Sequence, residues 1–505
     1  MKLPLELFFY LMMLGGSLLR VLQLIRLILL RFCLVVSNKI HQFIWRSLFL
    51  MKFPLNRTVQ TEIKQFLRLT IPLASAQVAQ SATGFVDTIM MGWLGQETLA
   101  AGGLAATTFT TLIVITSGIV VGISPLIAEA FGANNRVRIQ QLMRQGLWLS
   151  LIVAIPVMLL LRQMDIIMQY LGQSIEVVTI ANTYLDVMVW AFLPALIFAM
   201  LKSVVSSLSQ PRPITIIVVV GTLFNAVGNY LLGFGKLGFP AMGLAGIAWA
   251  STLAQWGMLL FLIVYTFRDK QLKTYQIFHH LLQFETKIIK ELIWIGLPIS
   301  ISFAFEVGMF SITTYLMGML GTQVLAAHQI VFQTIAIIFM VPLGMSFATT
   351  IRVGQWNGKQ DYYGVERAAY VSMSFGAIFM TVMAVIILIF PRQVIALYLD
   401  VGNHKNAQVV LLATAMFRIA ALSQILDGVQ TTAAGALRGL KDTRIPMLLS
   451  FLAFWVIGLA TGYLLCFYFG WGGVGLWLGQ LTGVAVSAGA FLWRFRRLMS
   501  LAVYE

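Results

Sequence analysis

Apolar residues gather in this chain into long runs broken by short polar connections, and the runs recur at helix-spanning length. Taken at roughly 20 residues each, they lie at about 69–94, 104–131, 146–162, 177–201, 214–234, 243–267, 292–319, 323–351, 368–390, 407–436, 446–469 and 473–493. The pattern predicts an all-α membrane protein of twelve spans, six on each side of the longest polar connection. That connection, RDKQLKTYQIFHHLLQFETKIIK at 268–290, suggests a short surface helix through Glu285, Lys287 and Lys290. The other connections are too short to hold a soluble domain.

The two sets of six are copies. IPLASAQVAQSATGFVDTIMMGWLGQETLAA (71–101) lies over LPISISFAFEVGMFSITTYLMGMLGTQVLAA (297–327) without a gap, with 9 of 31 positions identical. Pro72 falls on Pro298, Gly95 on Gly321, and Gly122–Asn135 runs in register with Gly344–Asn357. Farther on, Pro213 falls on Pro446 and Gly243-Leu244 on Gly475-Leu476. Six is even, so both copies enter the bilayer in the same direction and their pseudo-two-fold axis runs along the membrane normal. The expected division is a first lobe at 51–275 and a second at 276–505.

Composition agrees. Hydrophobic residues make up 59% of the chain and charged ones 10%, against about 25% charge in soluble domains. Mean hydropathy is +0.88. The net charge of +16 would suit nucleic acid, but its placement excludes that partner. Arg136, Arg138, Arg144, Arg268, Lys270, Lys273, Arg438, Lys441, Arg444, Arg494, Arg496 and Arg497 all fall on one set of connections, whereas the opposite set holds only Arg162, Lys236, Arg392 and Lys405 from residue 132 onward. This positive-inside bias places both ends of the twelve-helix core in the cytoplasm, and the expected location is a bacterial inner membrane. Cys33 and Cys466 form no framework, and the five histidines show no ligand spacing. No phosphate-cradling loop is followed by Lys-Ser/Thr, so transport would draw on an ion gradient.

Residues 1–50 lie outside the duplication. Their apolar run is interrupted by Arg20, Arg26 and Arg31 and lacks a cleavage site. An interfacial helix or dispensable extension is expected, with a thirteenth span as the other reading.

A charge inside a span is costly and marks function by default. The acids there are Asp87, Glu129, Asp186, Glu306 and Asp427. In repeat register Glu306 falls on Gln80 and Asp87 on Thr313. Positions 80 and 87 are two turns apart, about 10 Å along one face, so both copies turn the same face of their first helix toward something polar. Asp427 lies among Gln424 and Gln430, which suits an ion or cation site; Arg418, about 13 Å away along the helix, is the alternative structural partner. Asn225 and Asn229 share one face of span five and could bridge helices or bind a cation. Glu129 and Asp186 sit near span ends and read as structural. His328, at the start of span eight, reads as a cap or interhelical hydrogen bond. Spans one and seven carry no basic residue near Gln80, Asp87 or Glu306, so those three are expected to line one aqueous cavity between the lobes.

IPLASAQVAQSATGFVDTIMMGWLG, FNAVGNYLLGFGKLGFPAMGLAGIAWAS and above all LDGVQTTAAGALRGLKDTRIP resemble the multidrug and toxic compound extrusion (MATE) family, closest to its NorM-type branch, over about residues 60–495. The resemblance implies two six-helix lobes forming a V around a central cavity. It implies antiport of cationic, partly apolar drugs against Na⁺ or H⁺, with no other cofactor. Asp87 then matches the family's acid in span one, Glu306 and Asp427 its coupling acids in spans seven and ten, and Asn225 its amide in span five. Asn229 stands where some members carry an acid, which weakens any role for the first lobe alone.

The resulting expectation is a monomeric, non-enzymatic exporter of cationic drug-like molecules in a lipid bilayer. Glu306, Asp427 and Asp87 would bind the coupling proton or ion, with Na⁺ held by Glu306 and Asp427 if sodium drives transport. Gln80, Asn225, Asn229, Gln424 and Gln430 would line the cavity. A lipid-linked oligosaccharide flippase of similar architecture is the alternative, and would need a cationic cavity. An intramembrane enzyme would need a nucleophile–base or metal constellation that is not seen here.

Overall fold

The computed structural model describes residues 57–275 and 283–504; the expected extension at 1–50 and Cys33 lie outside them. Among the described residues the chain is helical, and eleven helices are long and apolar enough to cross a membrane: α2 (Gln96–Gly132), α3 (Arg136–Leu161), α4 (Ile175–Ser207), α5 (Arg212–Gly233), α6 (Gly243–Arg268), α7 (Thr286–Met319), α8 (Thr322–Gly358), α9 (Tyr362–Ile389), α10 (His404–Gly439), α11 (Arg444–Tyr468) and α12 (Gly472–Ala502). The twelfth, α1 (Arg57–Leu94), has the length but carries more polar side chains. It begins well before the apolar run at 69–94, and Glu62, ahead of that run, finds a partner in Arg352. Lys287 and Lys290, expected on a surface helix of their own, instead open α7; the short helix in the connection is Lys270–Lys273, capped by Asp269, whose carboxylate accepts from the Gln271 and Leu272 amides.

Duplication is visible in backbone detail. Gly95 and Gly321, which fall on one another in the repeat, cap α2 and α8 at φ 129° and 112°. A side chain is strained there, so the turn joining the first two helices of each half depends on glycine. Both α5 and its counterpart α11 depart from α-helical geometry: Asn229–Gly233 is π-helical, as are Leu452–Leu459 and Leu464–Tyr468. π-Helical turns in long helices frequently mark functional sites.

The first helix of each half crosses to the other half. Phe66, Leu69 and Leu73 of α1 form one buried cluster with Met345, Ala348 and Ile351 of α8. Reciprocally, Ile288, Leu292, Ile295 and Ile299 of α7 join the core of α2–α6. Small residues make these crossings close. A Cβ on Gly118 would lie 2.6 Å from the Ser300 Cα, one on Gly122 2.5 Å from the Gly296 Cα, and one on Gly344 2.5 Å from the Ala74 Cα. Since Ala74 falls on Ser300 in the repeat, the two crossings are the same contact made twice. This corrects the register of the second helices: Gly118, not Gly122, answers to Gly344, as the positive-φ pair Asn134 and Gln360 also requires. Backbones approach this closely in membranes where small residues allow it, and van der Waals contact then holds them.

Candidate coupling site

Five ion pairs occur among the described residues, four of them joining the two halves at the end of the bundle rich in Lys and Arg. Arg352 of α8 grips Glu62 of α1 through two bonds of 2.8 and 2.7 Å, and the Trp356 indole donates to the same carboxylate at 2.9 Å. Lys441, held at φ 63°, reaches back to both oxygens of Glu129 on α2 at 2.7 and 2.8 Å. Asn357 of α8 donates to Glu129 as well, at 3.2 Å. Arg138 pairs with Glu291, and Arg144 with Glu285. Glu129 is therefore a tie between halves. Asp186, by contrast, is exposed.

In the first half, Asp87 is buried and each oxygen of its carboxylate accepts one hydrogen bond. The Asn229 amide donates to Oδ1 at 2.6 Å and the Ser251 hydroxyl to Oδ2 at 3.2 Å. Asn225 donates to Ser251 at 2.8 Å, and Asn229 approaches the Asn225 carbonyl at 3.4 Å. The Asn229 Oδ1 has no hydrogen-bond partner among the described residues. α1, α5 and α6 thus close around one carboxylate. Asp87, Asn225 and Asn229 do come together, but inside the first half rather than along an open cavity, because amide and hydroxyl donors on α5 and α6 satisfy the acid there.

Gln80 is placed differently. The Lys202 ammonium on α4 donates to the Gln77 and Gln80 side-chain carbonyls at 3.1 and 3.3 Å. The expectation of no basic group near this face is therefore corrected: the base comes from a neighbouring span. Lys202, immediately after the apolar run at 177–201, was the available signal.

The second half brings its acids together. Asp427 on α10 lies within the electrostatic reach of Glu306 on α7, and the Arg438 guanidinium acts on Glu306 too. Arg438 is fixed by the Ser346 hydroxyl at 2.6 Å and the Ala434 carbonyl at 3.3 Å. Trp455 of α11 donates to the carbonyl of Phe305 at 3.0 Å and so anchors the turn that carries Glu306. Arg418, the alternative partner of Asp427, is exposed. Gln424 and Gln430 are buried rather than cavity-lining: Gln430 accepts from Thr431 at 3.1 Å, and neither amide atom of Gln424 finds a partner. His328 bonds Thr314 across α8 and α7 at 3.0 Å, an interhelical bond as expected. No group of three or more His, Cys, Asp or Glu side chains suited to a metal occurs among the described residues, so a cation here would rely on amide and hydroxyl oxygens beside the acids.

The MatE family model matches the chain twice, over residues 72–231 and 298–464, which is the duplication again. A protein of Synechocystis named a probable multidrug resistance protein NorM is 47% identical over 441 residues, covering 87% of this chain and 96% of its own. Its Synechococcus namesake is 48% identical over 442 residues, covering 88% and 95%. Among solved structures, an outward-facing multidrug resistance MATE transporter superposes with TM-score 0.81 at 22% identity, covering 88% of this chain and 97% of that one. A eukaryotic MATE transporter, AtDTX14, superposes with TM-score 0.79 at 19% identity, covering 88% and 99%. At those identities the structural likeness concerns the fold: twelve helices in two six-helix lobes.

Proposed function

Because the chain belongs to the MatE family, we propose that this multi-pass membrane protein is a secondary active multidrug exporter. It exchanges cationic amphiphilic drugs from the cytoplasm against Na⁺ or H⁺. The observation that carries this reading is the second-half cluster of Glu306, Asp427 and Arg438. Two carboxylates against one guanidinium leave a single uncompensated negative charge in a low-dielectric interior. Such a charge demands a cation, and a coupling ion and a drug cation compete to supply it. Linkage then follows, since each ligand lowers the affinity for the other.

The first half offers a second ion station. Asp87 with the partnerless Asn229 carbonyl presents oxygens that fit a small monovalent cation or a proton, whereas Lys202 and its two glutamines make the neighbouring face repel one. The ion pairs joining the halves at the Lys/Arg-rich end would keep the cytoplasmic side closed, so this conformation would release drug to the outside. Names of the NorM relatives support the drug substrate; placement in the inner membrane with both core termini cytoplasmic rests on the charge asymmetry of the connections, and lobes meeting near residue 276 on the repeat. Efflux of ethidium from proteoliposomes, under an imposed Na⁺ gradient and then a proton gradient, tests the reading. Efflux under one gradient that is lost in Asp427→Asn supports it; no efflux under either overturns it.

A further inference from the structure

At the Lys/Arg-rich end the two copies balance their charges differently. In the first, Arg138 and Arg144 of α3 meet Glu291 and Glu285 at the start of α7, two cations against two acids. Asn135 and Asp361 cap α3 and α9 in the same way, each side chain accepting from the amide three residues on, and this fixes the register of the two helices. Arg138 then falls on Gly364, Gln141 on Arg367 and Arg144 on Tyr370, while Glu285 and Glu291 fall on Val59 and Gln65. The second copy thus carries a cation on α9 and neither acid.

Trp356 stands there instead. A Cβ on Gly364 would lie 2.6 Å from its ring, so the indole packs on the α9 backbone at the position where α3 carries Arg138. Three cations gather on that ring. The Lys359 ammonium is 4.7 Å from a ring centroid, and the Arg367 and Arg352 guanidinium carbons are 5.2 and 5.5 Å away. Arg352 is neutralised by Glu62, which also accepts from the indole N–H. Lys359 and Arg367 belong to none of the five ion pairs among the described residues. The enclosed Arg367 Nε has no hydrogen-bond partner among them either. Of the acids adjacent in sequence, Asp361 is engaged at the α9 cap and Glu366 makes no ion pair. An indole face attracts a cation, but two unpaired positive charges on one ring repel each other, and an anion relieves both.

Depth and surroundings say where that anion comes from. The apolar run of α9 opens at residue 368, so Arg367 stands at the boundary between hydrocarbon and headgroups. Tyr363, one turn earlier, is exposed, as interfacial aromatic residues are. The helix face that carries Arg367 continues through Val371, Phe375, Ile378 and Val382, spaced three or four apart, and the last two are exposed. Cations at the headgroup level above an exposed apolar track fit one molecule with a phosphate and an acyl chain. We propose that Arg367 and Lys359, gathered on Trp356, bind the phosphate of an anionic phospholipid in the leaflet at the Lys/Arg-rich end. The lipid supplies the second copy with the negative charge that Glu285 and Glu291 supply to the first. This is independent of what the protein transports.

The experiment titrates the purified full-length protein in detergent with phosphatidylglycerol or phosphatidylcholine and counts bound lipid by native mass spectrometry. Wild type should prefer phosphatidylglycerol by about tenfold or more, since each basic side chain at an anionic surface is worth about fivefold. Arg367→Gln, which installs the residue found at the corresponding place in the first half, should lower that preference by about fivefold. Lys359→Gln, at an exposed position, should do the same, and decides alone should Arg367→Gln not fold. Lys290→Gln removes an exposed lysine at the start of α7 and should change the preference by less than about twofold. Equal binding of the two lipids by wild type overturns the proposal. Equal losses at 290, 359 and 367 also overturn it, because the preference is then the general attraction of a basic surface. So does full competition by soluble glycerol phosphate at the lipid's own concentration, which would make this a site for a free anion.

Discussion

The two halves of this protein solve opposite problems at the same two places. At the first, the Asp87 cluster, the first half assembles an acid, two amides and a hydroxyl into a closed network, and the second half has Thr313, Gly458, Gly462 and Gly483 in register. At the second, the position of Gln80 and Glu306, the first half puts a lysine against neutral amides, and the second puts two acids near one arginine. The first half thus carries an acid at one place and a base at the other, whereas the second empties the one and gathers its acids at the other. Duplication supplies two copies of a scaffold, and divergence at a few positions makes their electrostatics non-equivalent.

The sharpest way to break this comparison is to remove the second-half charges. Glu306→Gln and Asp427→Asn should each abolish ion-driven ethidium efflux without loss of membrane expression, and the double variant should be no worse than either, as expected of groups acting as a unit. Asp87→Asn should retain at least tenfold more efflux than either; equal loss would make the halves equivalent in coupling.

Packing gives the next effect. Gly479→Ala should destabilise the protein by about 3 kcal/mol, because its Cβ would run into the Gly462 backbone. The first half carries a fully buried Ile247 at the corresponding position. Thermal unfolding in detergent checks this. Asn229→Ala should cost about 2 kcal/mol by leaving a buried carboxylate short of a donor, and the loss should shrink in an Asp87→Asn background. The smallest effect is expected at the tie between halves: Glu129 and Lys441 are 29% and 35% exposed, so Glu129→Gln should lower stability by about 1 kcal/mol or less, an effect that salt should erase.

Hydropathy and the repeat were enough for the twelve helices, their turns and their pairing, because apolar length and a gapless duplication are written directly in residue order. They missed the first turns of α1, because only folding brings Arg352 and Trp356 to Glu62. Lys202 escaped for a similar reason, since the face of Gln80 was judged from its own helix. Asp87, Glu306 and Asp427 were legible as charges misplaced in apolar runs. Arg367 was not: a cation at a helix start looks like one more positive-inside charge until Gly364, Val59 and Gln65 are set against the charged residues they replace.

The exchange of first helices has a consequence for how the chain is made. As it leaves the ribosome, the first half cannot complete its interior with its own residues, because Ile288 to Ile299 of α7 belong to that interior. Until they arrive, Gly118 and Gly122 face lipid with no backbone to meet. The second half in turn waits for nothing, since α1 has been in the bilayer from the start. A chain stopped at residue 275 should therefore be a substrate for quality-control proteolysis, and two separately expressed halves should accumulate only when made together.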